Sequence, residues 1–162
     1  MIPHPPAPAP VPPVELRVLD PRLHDWGLPR PQTAMAAAVD LFACLDAPLD
    51  LGAQDAAVLV PSGLAIHIAD PQLAAMILPR SGLGHRGLVL GNGIGLIDAD
   101  YTGQIMISLW NRNPPGSAPI TLRPGDRVAQ MLFVPVVRPL MQVVQTFSRD
   151  SGRTGGFGST GV

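Results

Sequence analysis

Punctuation constrains this chain more than any other feature. Its 162 residues include 20 prolines and 17 glycines, and they break the hydrophobic sequence into short pieces. Proline fixes φ and removes a backbone donor, while glycine opens turns that other residues avoid. "VELRVL", "DLFACL", "AAVLVP" and "LAIHIA" are short apolar or alternating runs separated by Pro, Gly and Asp. "QIMISLWN" alternates cleanly, with Ile105, Ile107 and Leu109 on one face and Gln104, Met106, Ser108 and Trp110 on the other. "RVAQMLFVPV" is nearly continuous, as expected of a strand covered on both faces. Only "DPQLAAMI" has helical character, and it is short. Many short strands joined by Gly-Pro turns predict an all-β fold, a jelly-roll-like barrel or sandwich.

The chain divides into three parts. Residues 1–13, "MIPHPPAPAPVPP", hold seven prolines and read as an extended, disordered arm. Residues 14–147 form the β domain, and residues 148–162 a flexible glycine-rich arm. Charged residues make up 14% of the chain and the formal net charge is −1, so no general attraction to nucleic acid or anionic membrane is expected. A polyanionic ligand would have to meet a local cluster of charge. The single cysteine, Cys44, excludes an internal disulfide and reads as a small buried hydrophobe in a reducing compartment. No apolar run approaches the roughly 18 residues of a membrane span. The N-terminus lacks the basic and apolar regions of a signal peptide, so a cytoplasmic protein without membrane contact is expected.

Polar residues gather in islands. "PRSGLGHRG" sets Arg80 and Ser81 before two glycines, and "GNGIGLIDADYTGQ" is a hairpin-like loop with Asp98, Asp100 and the only tyrosine, Tyr101. "LRPGDRVAQ" is a Pro-Gly turn opening a strand, Asp40 stands in "AAAVDLFA", and the chain ends "SGRTGGFGSTGV". Each alone reads as ordinary turn chemistry or a satisfied strand end. Together, Arg80, Ser81, Arg127 and a glycine tail could surround a polyphosphate. Asp40, Asp98 and Asp100 could hold a divalent cation or activate water, and oxygen ligands without a Cys/His cluster favour Mg²⁺ over zinc. The histidines, His4, His24, His67 and His85, have no metal-ligand spacing.

In order, "AVDLFA", "PRSGLG", "GLIDADYTGQ", "RPGDRVAQMLF" and "GGFGSTG" resemble the five motifs of the trimeric deoxyuridine triphosphate nucleotidohydrolases (dUTPases). The resemblance covers Val14 to Val162. It implies a homotrimeric β jelly roll with a swapped C-terminal arm, each site being built from all three chains. It also implies Mg²⁺-dependent hydrolysis of dUTP to dUMP and pyrophosphate, which keeps uracil out of DNA and supplies dUMP for dTMP synthesis. Asp98 matches the residue that activates water for attack on the α-phosphorus, and Gln130 a glutamine contacting phosphate and that water. Arg80, Ser81 and Gly82 match the phosphate-binding motif. Asn92, Gly95, Leu96, Ile97 and Met106 fall in the part that reads uracil, and Tyr101 packs beneath the deoxyribose.

Asp40 and Arg127 match a supporting network beside Mg²⁺, which the triphosphate and water hold with no direct protein ligand. In the tail, Phe157 would stack on uracil while Arg153, Gly155, Gly156, Gly158 and Ser159 wrap the terminal phosphates. A loose arm of this kind closes for chemistry and opens for release. Two positions depart from the family pattern. Residues 35–39 read "MAAAV" where Ser and Gly are usual, and Gly152-Arg153 reverses the usual Arg-Gly. The alternatives are a dCTP deaminase-like enzyme, which would want a glutamate near the base, a non-catalytic nucleotide-binding regulatory module and a purely structural jelly-roll oligomer.

Overall fold

The computed structural model describes residues 12–149, Gly152 and Thr154. The chain runs through strands β1 (Glu15–Val18), β2 (Val39–Phe42), β3 (Leu49–Leu51), β4 (Val58–His67) and β5 (Leu73–Pro79). It continues through β6 (Leu88–Leu90), β7 (Gly95–Ile97), β8 (Gln104–Asn111), β9 (Ile120–Leu122) and β10 (Arg127–Pro135). Two short helices, α1 (Leu23–Trp26) and α2 (Ser81–His85), are the only helical pieces among the described residues.

All strand pairs are antiparallel and form two four-stranded sheets, ordered β1-β4-β8-β6 and β2-β10-β5-β7, plus a β3-β9 ribbon. From β4 to β8 the chain changes sheet at every strand. Each connection therefore crosses from one sheet to the other, as in the jelly-roll-like architecture expected. The alternation in β8 holds: Ile105, Ile107 and Leu109 are buried, while Met106 is exposed. Facing them are Leu41, Ala75, Ile77, Ala129 and Met131 of the other sheet, so the core is the apolar layer between the two. Burying such side chains contributes about 1.5–3 kcal/mol for each large aliphatic group.

Glycine is needed where strands bend or turn. "AAVLVP" and "LAIHIA" lie in one strand, β4, broken by Gly63 at φ +71°, where the pairing with β8 shifts register between Pro61 and Ala65. A side chain on Gly63 would collide with Cys44 and Asp20. The Pro-Gly turn before β10 forms as expected: Gly125 has φ +83°, its N–H donates to the Ala43 carbonyl at 3.0 Å, and its Cα faces Trp26. Cys44 is buried, and burial pushes its thiol up to about 11, so it is a neutral core group.

Three expectations are corrected. "DPQLAAMI" contributes to β5, not a helix, because seven residues pair with β10 and three with β7; tertiary pairing overrides the helix preference of Ala, Leu and Met. The strand "RVAQMLFVPV" is fully covered on one face only within the chain: Ala129 and Met131 are buried, while Gln130 and Leu132 on the other face are half-buried and border a cleft. The "hairpin-like" loop is a crossing between sheets: β6 and β8 are neighbours in one, while β7 lies in the other.

Candidate active site

Strand register gathers the first set of polar residues. In the order β2-β10-β5, Asp40 lies opposite Gln130, and Gln130 opposite Leu78, one residue before Pro79 and Arg80. Three sequence islands far apart in the chain thereby become neighbours. Arg80 Nε stands 2.8 Å from Asp40 Oδ1, and Arg127 Nη1 donates to Asp40 Oδ2 at 3.2 Å. Arg80 Nη1 also donates to the Arg127 carbonyl at 3.1 Å, and Gln130 Nε2 to the Pro79 carbonyl at 2.9 Å. With both oxygens engaged and its side chain only 10% exposed, Asp40 holds two arginines in place and is not a free base. Ser81 and Gly82 start α2, a short helix where the sequence read as a turn. Asp40, Arg80, Ser81, Gly82, Arg127 and Gln130 all line one cleft of about 490 Å³.

The Ala-rich departure in the first motif forms another wall of this cleft, residues 36–38. Among described non-glycine residues only Gln54 and Ala69 have positive φ, so Ala38 is not strained and Asp40 keeps its place in β2. Gln32 and Leu132 also border the cleft; neither carried a sequence signal.

The second set lies on the crossing after β7. Gly95 pairs with Ile77 and Ile97 with Ala75, which sends Asp98 to the far end of β5 from Arg80. Asp98 and Asp100 line a separate cleft of about 590 Å³ with His67, Ala69 and Arg138. Between them Ala99 is buried, and its carbonyl accepts the Ala69 N–H at 3.0 Å. This backbone anchor turns both flanking carboxylates outward, where both are exposed. Tyr101 is 42% exposed and its hydroxyl donates to the Gln104 carbonyl at 2.9 Å. Asn92 is exposed in the turn before β7, Leu96 is exposed at 63%, and Met106 points out from β8.

One chain does not bring the two sets together. The clefts share no lining residue. Five residues of extended chain separate Ala75, opposite Ile97, from Arg80, a span of roughly 16 Å at ~3.3 Å per residue. The third set, Arg153, Gly155, Gly156, Phe157, Gly158 and Ser159, lies outside the described residues. Arg138 and Ala69, which line the second cleft, carried no sequence signal.

The fold is a jelly roll that fixes two guanidiniums beside a serine and a glutamine, with exposed carboxylates on a separate loop. The sequence model of the dUTPase family matches residues 24–161. Over 151 residues the chain is 56% identical to the deoxyuridine 5'-triphosphate nucleotidohydrolase of Xanthomonas oryzae pv. oryzae (strain PXO99A), covering 92% of this chain and 95% of that protein. Its counterpart in Xanthomonas campestris pv. campestris (strain B100) is 55% identical, covering 92% and 97%. The chain belongs to the dUTPase family.

Solved structures resemble it in fold. A Staphylococcus bacteriophage 80alpha dUTPase with dUPNHPP superposes with a TM-score of 0.76 at 21% identity, covering 92% of this chain and 98% of that one. A mutant dUTPase from phage phi11 of S. aureus, described for its coordination of a structural Mg(II) ion, gives 0.69 at 21% identity, covering 84% and 99%.

Proposed function

We propose that this protein hydrolyses dUTP to dUMP and pyrophosphate, keeping uracil out of DNA and supplying dUMP for dTMP synthesis. The observation that carries this reading is the Asp40 carboxylate shared by Arg80 and Arg127, which presents fixed positive charge beside Ser81 and Gln130. Pre-positioned guanidiniums bind phosphate oxygens without reorganising at the moment of reaction. Arg80, Ser81 and Gly82 hold the phosphates, and Gln130 contacts phosphate and the attacking water. Asp98 accepts the proton from that water as it attacks the α-phosphorus, a task suited to an exposed carboxylate. Asn92, Gly95, Leu96 and Ile97 read the uracil edge with Met106 beside them, and Tyr101 lies beneath the deoxyribose.

The described residues contain no group of three or more His, Cys, Asp or Glu able to hold a metal. The reading places a Mg²⁺ near Asp40 on the triphosphate and water, whose oxygen donors suit that ion. When bound, the ion neutralises phosphate charge and orients the α-phosphorus. Arg80 and Arg127 act on the same charge from the protein side.

The working form is a homotrimer in which one chain's Asp98 faces another chain's Arg80 and Ser81. Two observations support this. The clefts are too far apart within a chain to grip one phosphorus, and a strap after β10 exposes Val137, Leu140, Met141 and Val143 at 85–100%. Apolar side chains so exposed are best covered by a second copy. The arm that follows carries Arg153, Phe157 and the glycines to close the site. A cytoplasmic setting suits this substrate, and no helix among the described residues is long and apolar enough to cross a membrane.

Incubating the protein with each deoxynucleoside triphosphate and UTP in Mg²⁺, while measuring pyrophosphate and base identity, tests the reading. Pyrophosphate from dUTP alone is expected. Ammonia from dCTP would indicate a deaminase, binding without turnover a regulatory module, and neither a structural oligomer. The crossing loop itself carries no glutamate; the chain's single one, Glu15, sits in β1, 3.1 Å from His67.

A further inference from the structure

Tyr101 rests the tip of its ring against Gly103. A methyl group added to Gly103 would stand 2.5 Å from the phenol oxygen, 2.7 Å from Cζ and 3.1 Å from Cε2. The hydroxyl is also tied to the Gln104 carbonyl at 2.9 Å. The ring tip is thus pinned by one hydrogen bond and by the absence of one side chain. Gly103 is not among the glycines with positive φ, so its backbone would accept alanine. The three atoms nearest to that methyl group all belong to the Tyr101 side chain.

We propose that Gly103 is a positioning residue for sugar selectivity: it leaves the space in which Tyr101 is pinned to the Gln104 carbonyl. This rests on the reading of Tyr101 as the surface beneath the deoxyribose. A ring held at its tip cannot swing aside to admit a 2′-hydroxyl. Adding a methyl group forces the tip back by roughly 1 Å to reach an ordinary ~3.5–4.0 Å contact. A shift of that size takes the hydroxyl out of the narrow ~2.5–3.0 Å range of O–H···O pairs and frees the ring.

The test compares wild type, Gly103→Ala, Tyr101→Phe and Tyr101→Ala with dUTP and UTP in Mg²⁺. Gly103→Ala should narrow the dUTP-to-UTP ratio of kcat/KM by about tenfold or more, as misplacements near 1 Å do. Tyr101→Phe, which loses only the hydroxyl, should narrow it less, and Tyr101→Ala most. Because Tyr101 is the only tyrosine, ring-labelled protein gives one set of tyrosine NMR signals, and these should shift in Gly103→Ala. A Gly103→Ala ratio at or above wild type, with Tyr101→Ala still narrowing it, overturns the proposal. If Tyr101→Ala leaves the ratio unchanged, the reading of Tyr101 fails first. Should Gly103→Ala not fold, an unchanged ratio in Tyr101→Phe overturns the pinning.

Discussion

Arg80 Nε stands 2.8 Å from Oδ1 of Asp40, so a carboxylate on β2 holds the guanidinium that follows β5. Arg127 takes the second oxygen from the start of β10. Three strands are therefore clamped at the cleft proposed to hold the phosphates.

Replacing the clamp should cost both grip and stability. Asp40→Ala leaves two cations facing each other without their shared partner. Solvent screens the arginines, which are 32% and 47% exposed, so a loss of about 1–2 kcal/mol is expected rather than the full penalty of a buried pair. Denaturant midpoints measure that loss. Steady-state kinetics should show KM for dUTP rising more than kcat falls.

Asp98→Asn should behave oppositely. The side chain is exposed at the end of a backbone-anchored turn, so folding and dUTP binding should persist. Turnover should drop by about 10²–10⁴-fold, the usual cost of losing a general base. Calorimetric binding alongside pyrophosphate release separates the two. Near-normal turnover would move the base elsewhere, with Asp100 next in line.

Truncation after Asp150 should leave the jelly roll intact and cripple hydrolysis, because it removes Phe157 and the glycines that close the site. Mixing truncated chains with Asp98→Asn chains, each inactive alone, should partly restore activity once subunits exchange. Some mixed sites then combine an intact Asp98 with a neighbour's intact arm. No recovery despite proven exchange would exclude an arm that crosses between chains.

Alkaline stability should depend on Cys44. Burial raises its thiol from 9.0 to about 11. Below pH 9.0 both folded and unfolded chains carry the proton, and this contribution is complete. Between 9.0 and about 11 the unfolded thiol ionises first, so stability falls as pH rises. Urea midpoints across that range should decline more steeply in wild type than in Cys44→Ala. Equal slopes would show that the thiol is not protected.

Much of this was legible in sequence, and the reason is local. Ile105, Ile107 and Leu109 alternate because β8 packs one face on the core, and the Pro124-Gly125 turn has few conformations open to it. The motif residues Asp40, Arg80 and Gln130 stood out as polar groups in apolar surroundings. What stayed hidden depends on register. "DPQLAAMI" reads as helical until the pairing of β5 with β10 and β7 is known. Nothing in "GLIDADYTGQ" says that Asp98 points away from Arg80; the Ala75–Ile97 pair decides it. Gly103 looks like any turn glycine until Tyr101 lies against it.

The distance between the two clefts has a consequence for cells making this protein. Under the proposed assembly, a newly synthesised chain holds a phosphate grip and a water-activating carboxylate that never meet. Hydrolytic capacity then rises with a higher power of protein concentration than the first, and a diluted or half-assembled population is silent. A defective copy does more than subtract itself, because it spoils sites whose other parts belong to sound neighbours.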